Sequence, residues 1–291
     1  MKKISKGRIA FNIFNYGFLT LLIFAFLIPY YLIFIASFTD NNVLMARGYS
    51  FWPGKWSIDA YVYVMQPRFN ILSGLRNSVF ITVCGTLLSV AIVTMASYSL
   101  SRKHLVGRGV LMKLIVFSML FSGGLIPSYL LISNLNLLNT FASLILPTCM
   151  MPWHLILMRN YFFGLTEALE EAAKIDGANH FKIFFIIYLP LSIPSIATIT
   201  LFTAVIYWNM WSNAMLYLDT RHQDMYPIAL VLRNMLTQAS SNQGGGLDTV
   251  DRPSEALKMA TVVISTVPII AVYPFLQKYF ITGITSGAVK E

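Results

Sequence analysis

Six long apolar runs, separated by shorter polar stretches, set the pattern of this chain. The runs cover approximately residues 18–38, 77–100, 110–132, 141–163, 187–209 and 257–280. A helix needs about 20 apolar residues to cross the hydrocarbon core of a bilayer. Membrane β-barrels instead have segments in which apolar and polar residues alternate, and these runs do not alternate. The pattern therefore predicts an all-α, polytopic membrane protein with six transmembrane helices in a single domain over residues 1–291.

The first apolar run has two interpretations, because it follows a basic amino-terminal segment. Lys2, Lys3, Lys6 and Arg8 precede the run, and a signal peptide begins in the same way. The run is long for the apolar core of a signal peptide, and residues 35–37 match a cleavage site only loosely. We therefore interpret it as an uncleaved first transmembrane helix.

The composition agrees with a membrane protein. Of the 291 residues, 56% are hydrophobic and 11% are charged, whereas about 25% of residues are charged in soluble domains. The net charge of +9 would also suit a nucleic-acid-binding protein, but basic residues in cytoplasmic loops explain it without a nucleic acid. Cys84 and Cys149 lie inside apolar runs. They are predicted to be small buried residues and not a disulfide or a metal site.

The distribution of basic residues predicts which side of the membrane each loop occupies. Six spans place both termini on one side, together with the polar stretches around 101–113 and 159–186. That side carries thirteen of the 21 Lys and Arg, at positions 2, 3, 6, 8, 102, 103, 108, 113, 159, 174, 182, 278 and 290. Because cytoplasmic loops are enriched in Lys and Arg, both termini are predicted to be cytoplasmic. The loops at 39–75 and 211–256 are predicted to be extracytoplasmic.

Motifs for catalysis and nucleotide binding are absent from the sequence. There is no Gly-x-x-x-x-Gly-Lys-Ser/Thr phosphate loop, and the three glycines at 244–246 lack its lysine, as expected of a flexible loop. The four histidines are scattered and form no metal-binding pattern. His154 lies within the fourth run, where a histidine either relays protons or binds substrate, or is simply packed. The sequence thus predicts no enzyme, no catalytic residue, no metal site and no cofactor in this chain.

Residues 166–186 form a charged, amphipathic segment between the fourth and fifth runs. Thr166 is a candidate helix cap, and acidic residues follow it where they favour a helix amino terminus. Glu170 and Lys174 stand four positions apart, in the order that stabilises a helix. Asp176-Gly177 predicts a turn that ends this helix. The segment is either a surface helix stabilised by its own ion pair or a docking site for a soluble partner.

A resemblance to a known family favours docking. Glu171-Ala172-Ala173, followed by Gly177, Ile187 and Leu189-Pro190, matches at full spacing the EAA signature of ABC importer permeases. In that family the signature segment forms coupling helices, which dock in a groove of a cytoplasmic ATPase. The resemblance therefore implies that segment 166–186 couples this chain to an ATPase.

The same resemblance implies a role for each residue of the signature. Glu171 would be the charged docking residue, and Ala172 and Ala173 would allow close approach. Gly177 would make the bend between two short helices, and Asp176 fits the Ile-Asp-Gly-Ala form of sugar permeases.

The resemblance to carbohydrate permeases covers nearly the whole chain. The stretches that carry it are 98–102, 137–140, 145–147 and 283–290. Residues 207–214 and 226–230 are most similar to permeases for oligosaccharides and polysaccharide fragments. The resemblance implies the fold of a type I ABC importer permease and a place in the cytoplasmic membrane of a bacterium.

It also implies a set of partners. These are a second, similar permease of different sequence, an ATPase dimer that binds ATP and magnesium, an extracytoplasmic solute-binding protein, a carbohydrate substrate and membrane lipid, with no nucleic acid. Permeases for amino acids or phosphate are the alternative within the family. A membrane enzyme or a stand-alone channel is the alternative from another class, but it would need a titratable cluster in the spans or a self-contained pore.

Aromatic and amide residues mark a candidate substrate path at the outer end of the fifth run. They are Trp208, Asn209, Trp211 and Asn213, with Asn77 at the start of the second run as a further candidate. Sugars are bound by aromatic faces and by amide groups, which is the reason for this choice. The alternative is a belt of aromatic residues at the membrane–water interface.

Overall fold

The computed structural model describes residues 6–241 and 254–288. Its helices are α1 (Lys6–Ser37), α2 (Asn41–Arg47), α3 (Asp59–Val64), α4 (Ile71–Ser101), α5 (Arg108–Leu120), α6 (Leu125–Asn134), α7 (Phe141–Ile145), α8 (Pro152–Phe163), α9 (Glu167–Ile175), α10 (His180–Ile183), α11 (Leu189–Leu191), α12 (Ile193–Trp208), α13 (Ser212–Tyr217), α14 (Ile228–Ser241) and α15 (Glu255–Ala288). A π-helical turn, Phe184–Tyr188, connects α10 to α11. Among the described residues, β-structure is limited to an isolated bridge between Thr39 and Trp56. The predicted all-α class is confirmed.

The predicted spans take two forms. Three are continuous helices long and apolar enough to cross a membrane, namely Gly7–Ser37, Ile71–Ser101 and Glu255–Val272. The other three are bent pairs: Arg108–Leu120 with Leu125–Asn134 (114°), Phe141–Thr148 with Pro152–Phe163 (45°), and His180–Leu191 with Ile193–Trp208 (78°). The described residues therefore provide three spans, or up to six if each bent pair crosses once.

The bends occur at residues that interrupt helical hydrogen bonding. Gly124, between α5 and α6, has a φ of +87°, a backbone conformation that glycine adopts without steric cost. Pro152 begins α8 and Pro194 lies in the first turn of α12. A proline has no N–H to donate to the preceding turn but fits the first turn of a new helix.

One compact unit consists of residues 1–71 and 234–266. In its described part, the Asp40 carboxylate caps α2 by accepting from the Asn42 amide at 3.0 Å, and it pairs with Lys55 Nζ at 2.8 Å. Ala36, Leu44 and Ala256 form a small buried cluster. The predicted loop 39–75 therefore contains ordered structure, including α2, α3 and the first turn of α4. The first six residues of α4 include Gly74 and Arg76, so the hydrophobic pattern placed the start of the span six residues late.

The second unit consists of residues 72–233 and 267–291. A cluster of buried aromatic residues joins α4, α8 and the π-helical turn: the Tyr98 ring lies 6.0 Å from that of Phe162, 5.0 Å from that of Phe184 and 5.1 Å from that of Tyr188. Ser97 Oγ donates to the Leu155 carbonyl at 2.9 Å. These contacts hold the carboxyl-terminal end of α4 against the elements that flank segment 166–186.

The predicted extracytoplasmic loop 211–256 is partly helical. It contains α13 and α14, and Ile228, Leu230, Val231 and Met235 of α14 are buried. This apolar stripe is too short for a transmembrane run, so hydropathy alone did not detect it. The three glycines at 244–246 lie outside the described residues.

Candidate functional site

Helix α9 and a tight turn form the first half of segment 166–186. Thr166 precedes the helix in an extended conformation (φ −66°, ψ 125°), but its side chain makes no capping hydrogen bond. The helix ends as predicted at Asp176-Gly177. The Gly177 amide donates to the Lys174 carbonyl at 3.0 Å and the Ala178 amide to the Ala173 carbonyl at 2.9 Å. This pair of bonds is a Schellman motif, which satisfies carbonyls at the helix end and requires a left-handed residue.

The second half of the segment is a new short helix. The Asn179 side chain accepts from the Lys182 amide at 2.8 Å and thereby caps α10. Ile183 and Phe184 are buried in the aromatic cluster, whereas Phe181 is 76% exposed. The segment is thus a helix–turn–helix whose second helix is anchored in the core of the protein.

Replacing Gly177 by valine is expected to weaken this turn strongly. The φ of Gly177 is +75°, and a left-handed conformation costs about 1–2 kcal/mol for a residue with a Cβ, with β-branched residues least tolerant. If the turn must form before a partner docks, the apparent dissociation constant for that partner rises about tenfold. Titration of the purified chain with the ATPase that the family resemblance implies as its partner measures this value.

Gly177→Asn is the matched control for that substitution. Nothing lies within 4 Å of a Cβ built at Gly177, so the strain comes from the backbone and not from a clash. Asparagine adopts the left-handed conformation far more readily than valine, and we expect an effect below about threefold. Equal losses for asparagine and valine would show that the conformation of this turn is not what matters.

The carboxylate of Glu170 is the charged centre of the segment. It pairs with Lys174 Nζ at 2.9 Å, which confirms the predicted ion pair, and also with the Arg102 guanidinium at the end of α4. The Glu170 side chain is 12% exposed and that of Lys174 is 46% exposed. Burial alone would raise the pKa of Glu170, but the hydrogen bond from Lys174 and the charge of Arg102 outweigh it and lower the pKa. Glu170 is therefore ionised at neutral pH.

The residues of the EAA signature point to two different sides. Glu171 and Ala172 are exposed, as are Asp176 and Gly177 at the turn. Ala173 is 8% exposed and packs in the core of the protein itself. Its small side chain therefore allows α9 to approach the aromatic cluster.

Two apolar side chains that the sequence analysis did not select complete the exposed side. Ile175 is 87% exposed and Phe181 is 76% exposed, although both belong to a segment otherwise rich in charge. Large exposed apolar side chains beside polar ones are typical of protein interaction sites. The sequence does contain a sign of this for Ile175: it stands two positions after the buried Ala173, so it lies on the opposite side of α9.

The candidate path residues near the end of α12 differ in their burial and in their contacts within the protein. Trp208 is buried, and the exposed Asn209 donates from Nδ2 to the Val205 carbonyl at 2.9 Å. The Arg233 guanidinium lies 3.6 Å from the centre of the Trp211 ring, so one face of this ring is covered. Asn213 Nδ2 lies 3.5 Å from Thr148 Oγ1. Asn209 is thus the most accessible of the four.

Asn77 has a structural set of contacts. It is buried, and its Nδ2 donates to the carbonyls of Asp224 at 2.7 Å and Tyr226 at 3.2 Å. Both amide hydrogens are thereby used within the protein. Asn77 holds the turn that precedes α14, and only its oxygen is left for other partners.

The residues considered for metal or proton chemistry are packed inside the protein or lie apart from one another. His154 is buried, with Nδ1 3.2 Å from Thr203 Oγ1 and its ring stacked on Phe202. Among the described residues, no group of three or more His, Cys, Asp or Glu is placed to hold a metal ion. Cys84 and Cys149 are free thiols. His154 therefore has the contacts of a packed histidine.

Comparison with known proteins identifies the class first. No family model matches the chain. Its structure is similar to a chain of a bacterial ABC transporter involved in the import of the acidic polysaccharide alginate, with a TM-score of 0.84 and 31% identity, over 96% of this chain and 100% of that one. The helices, their order and this similarity define an integral membrane protein of the bacterial cell membrane with the fold of an ABC importer permease.

Curated relatives identify the family. The chain is 41% identical over 288 residues to the polygalacturonan/rhamnogalacturonan transport system permease protein YtcP of Bacillus subtilis (98% of this chain, 99% of the relative). It is 40% identical to protein LplC of the same bacterium (100% and 98%). It is 31% identical to the arabinooligosaccharides transport system permease protein AraQ of Halalkalibacterium halodurans (88% of each). The chain belongs to the carbohydrate-uptake family of ABC importer permeases; it is a transport subunit and not an enzyme.

Proposed function

We propose that segment 166–186 is the surface through which this permease docks on a cytoplasmic ATPase. One observation carries the proposal: the segment is anchored on one side and open on the other. Ala173, Ile183 and Phe184 are buried in the core of the protein. Glu171, Ile175 and Phe181 are exposed. A charged residue beside large apolar side chains suits a partner groove that has both polar and apolar walls.

The proposed topology places that surface in the cytoplasm. The membrane permease crosses the bilayer six times with both termini inside, and loops 39–75 and 211–256 face outward. The excess of Lys and Arg on the side of segment 166–186 supports this orientation. Val106 lies between α4 and α5 and is 93% exposed. In intact cells, the thiol of a Val106→Cys variant is expected to be protected from a membrane-impermeant reagent. Reaction of this thiol from outside would contradict the proposed orientation.

The proposed assembly contains this chain, a second permease of similar but different sequence, an ATPase dimer and an extracytoplasmic binding protein. ATP and magnesium are bound by the ATPase, since this sequence has no phosphate loop. Closure of the ATPase dimer moves α9 and switches the spans between inward-facing and outward-facing states. Such switching requires that ATP and the loaded binding protein each bind one state more tightly than the other.

Purification of the tagged chain in mild detergent tests the assembly. We expect an ATPase and a second permease to accompany it, and ATP hydrolysis to be detectable in the purified sample. A chain that remains alone and conducts solute in liposomes without ATP would contradict the proposal and favour a channel.

We further propose that the substrate is an acidic oligosaccharide, such as a short polymer of galacturonate. The support comes from similar proteins: one relative is named for polygalacturonan and rhamnogalacturonan, and the structural neighbour takes part in alginate import. Uptake of labelled oligogalacturonate, compared with a neutral oligosaccharide of equal length, tests the substrate class. Preferential uptake of the neutral sugar, of an amino acid or of phosphate would contradict it.

Asn209→Ala is expected to raise the KM for this substrate with little change in stability. The side chain is exposed at the end of α12, and its internal hydrogen bond goes to its own helix. Loss of one hydrogen bond to a sugar costs about 1 kcal/mol, or roughly fivefold in KM. Gln223→Ala removes another exposed amide outside the predicted path and serves as control. If uptake at limiting substrate is unchanged in Asn209→Ala, this residue does not line the path.

A further inference from the structure

We propose that Arg102 is a positioning residue that transmits movement of α9 to α4 and to the beginning of the fifth span. The proposal deepens the proposed ATPase docking and rests on it. Arg102 is the first residue after α4, where the chain leaves the second predicted span. It lies 68 positions from Glu170 and 86 positions from Tyr188, yet its Nη1 contacts both.

The guanidinium of Arg102 is fixed to the end of α4. Its Nε and Nη2 donate to the Ser101 hydroxyl at 3.1 and 2.8 Å, and Ser101 is buried. Its central carbon lies 4.7 Å from the centre of the Tyr98 ring, one turn earlier in α4. Arg102 therefore moves with α4, because two residues of that helix hold its head group.

The opposite side of the same guanidinium holds α9. Its Nη1 donates to the Glu170 carboxylate, and the two side chains are 16% and 12% exposed. An ion pair so little exposed is weakly screened by salt. Lys174 pairs with the same carboxylate from the solvent side and is 46% exposed. Arg102 and Lys174 thus pair with the same carboxylate and differ mainly in how far each is exposed to solvent.

A third contact reaches the entry to the fifth span. Arg102 Nη1 donates to the Tyr188 hydroxyl at 2.9 Å, and the guanidinium lies 4.4 Å from the centre of that ring. Tyr188 is 1% exposed and ends the π-helical turn that continues into α11 and α12. One side chain therefore contacts a predicted span, α9 and the start of a second predicted span.

Arginine suits this position better than lysine. A guanidinium is planar, donates to several acceptors at once and stacks on aromatic rings. An ammonium carries the same charge but has no plane to stack in this way. The backbone route from α9 to Tyr188 includes the Gly177 turn, whereas the route through Arg102 is a direct chain of polar contacts. We therefore expect the charge and the shape of Arg102 both to matter for coupling.

The test measures how many molecules of labelled oligogalacturonate the reconstituted complex imports for each ATP that it hydrolyses. Arg102→Gln is expected to retain the ATPase, since the exposed docking side is unchanged, while this ratio falls about tenfold. Arg102→Lys is expected to lower the ratio about threefold, because charge alone is kept. Lys113→Gln, which removes an exposed cation of α5 outside segment 166–186, is the control and should stay within about twofold.

Two results would overturn the inference. One is an import-to-ATP ratio within about twofold of the parent for Arg102→Gln and Arg102→Lys. The other is release of the ATPase by both variants in correctly folded permease, which would make Arg102 part of docking. If the glutamine variant fails to accumulate in membranes, the lysine variant decides by the same ratio. Failure of the docking proposal is distinguishable, because Glu171→Lys would then leave the ATPase bound.

Discussion

Glu171→Lys is expected to release the ATPase and to abolish ATP-driven uptake. Glu171 is exposed on α9, next to Glu170, whose carboxylate is already used by Arg102 and Lys174. Glu171 therefore presents an exposed carboxylate to a docking partner. Loss of one member of a desolvated charge pair at an interface costs about 2–5 kcal/mol, and reversal adds repulsion. We expect the dissociation constant for the ATPase to rise about 100-fold or more.

The matched control for this charge reversal is Asp224→Lys. Asp224 is exposed in the turn before α14, and it is its backbone carbonyl that accepts from Asn77. The same change of charge there should leave ATPase recovery and uptake within about twofold. Thermal unfolding of both variants separates docking from folding. If Glu171→Lys keeps the ATPase, α9 does not dock through its exposed carboxylate.

Gly85→Ala is expected to destabilise the protein, because the added methyl group would disturb the packing of α4 against α12. A Cβ at Gly85 would lie 2.6–2.8 Å from three atoms of the Tyr207 ring. That ring is fully buried, and its hydroxyl donates to the Ile145 carbonyl at 2.9 Å, so it has little room to move. Small residues allow membrane helices to approach closely. Overpacking of this kind costs about 1–3 kcal/mol.

Thermal unfolding in detergent measures this cost. The midpoint should fall by about 5 °C. Gly109→Ala is the control, because nothing lies within 4 Å of a Cβ at that position. Gly85→Ala combined with Tyr207→Leu should recover part of the loss, since the smaller side chain removes the clash. An unchanged midpoint in Gly85→Ala alone would show that the two helices are farther apart than the structure indicates.

The sequence was sufficient for the features that depend on neighbouring residues. The six apolar runs, the end of α9 at Gly177 and the Glu170–Lys174 pair all follow from short-range rules of hydropathy, helix termination and side-chain spacing. Gly124, Pro152 and Pro194 lie at the three bends, but no bend at any of them was predicted from the sequence. The angles of 114°, 45° and 78° were not predicted either, because a bend angle is set by packing against other helices.

Contacts between distant parts of the chain were not accessible from the sequence. Arg102 stood in a stretch that resembles carbohydrate permeases, but its contact with Glu170 spans 68 positions. Asn77 was a candidate for substrate, and its amide instead bonds to carbonyls 147 and 149 positions away. Helix α9 carries charges on several sides, so periodicity did not show that Ala173 faces inward. A single sequence contains no signal for such pairs unless the topology is known.

Reconstitution of the complete importer in liposomes is the most direct test of the central claim, that this chain carries carbohydrate across the membrane through ATPase docking at segment 166–186. The measurement is accumulation of labelled oligogalacturonate, with the binding protein on the substrate side and ATP on the ATPase side. We predict uptake that requires ATP and that is lost in Glu171→Lys but retained in Asp224→Lys. Uptake that proceeds without ATP, or that Glu171→Lys leaves intact, would contradict the account.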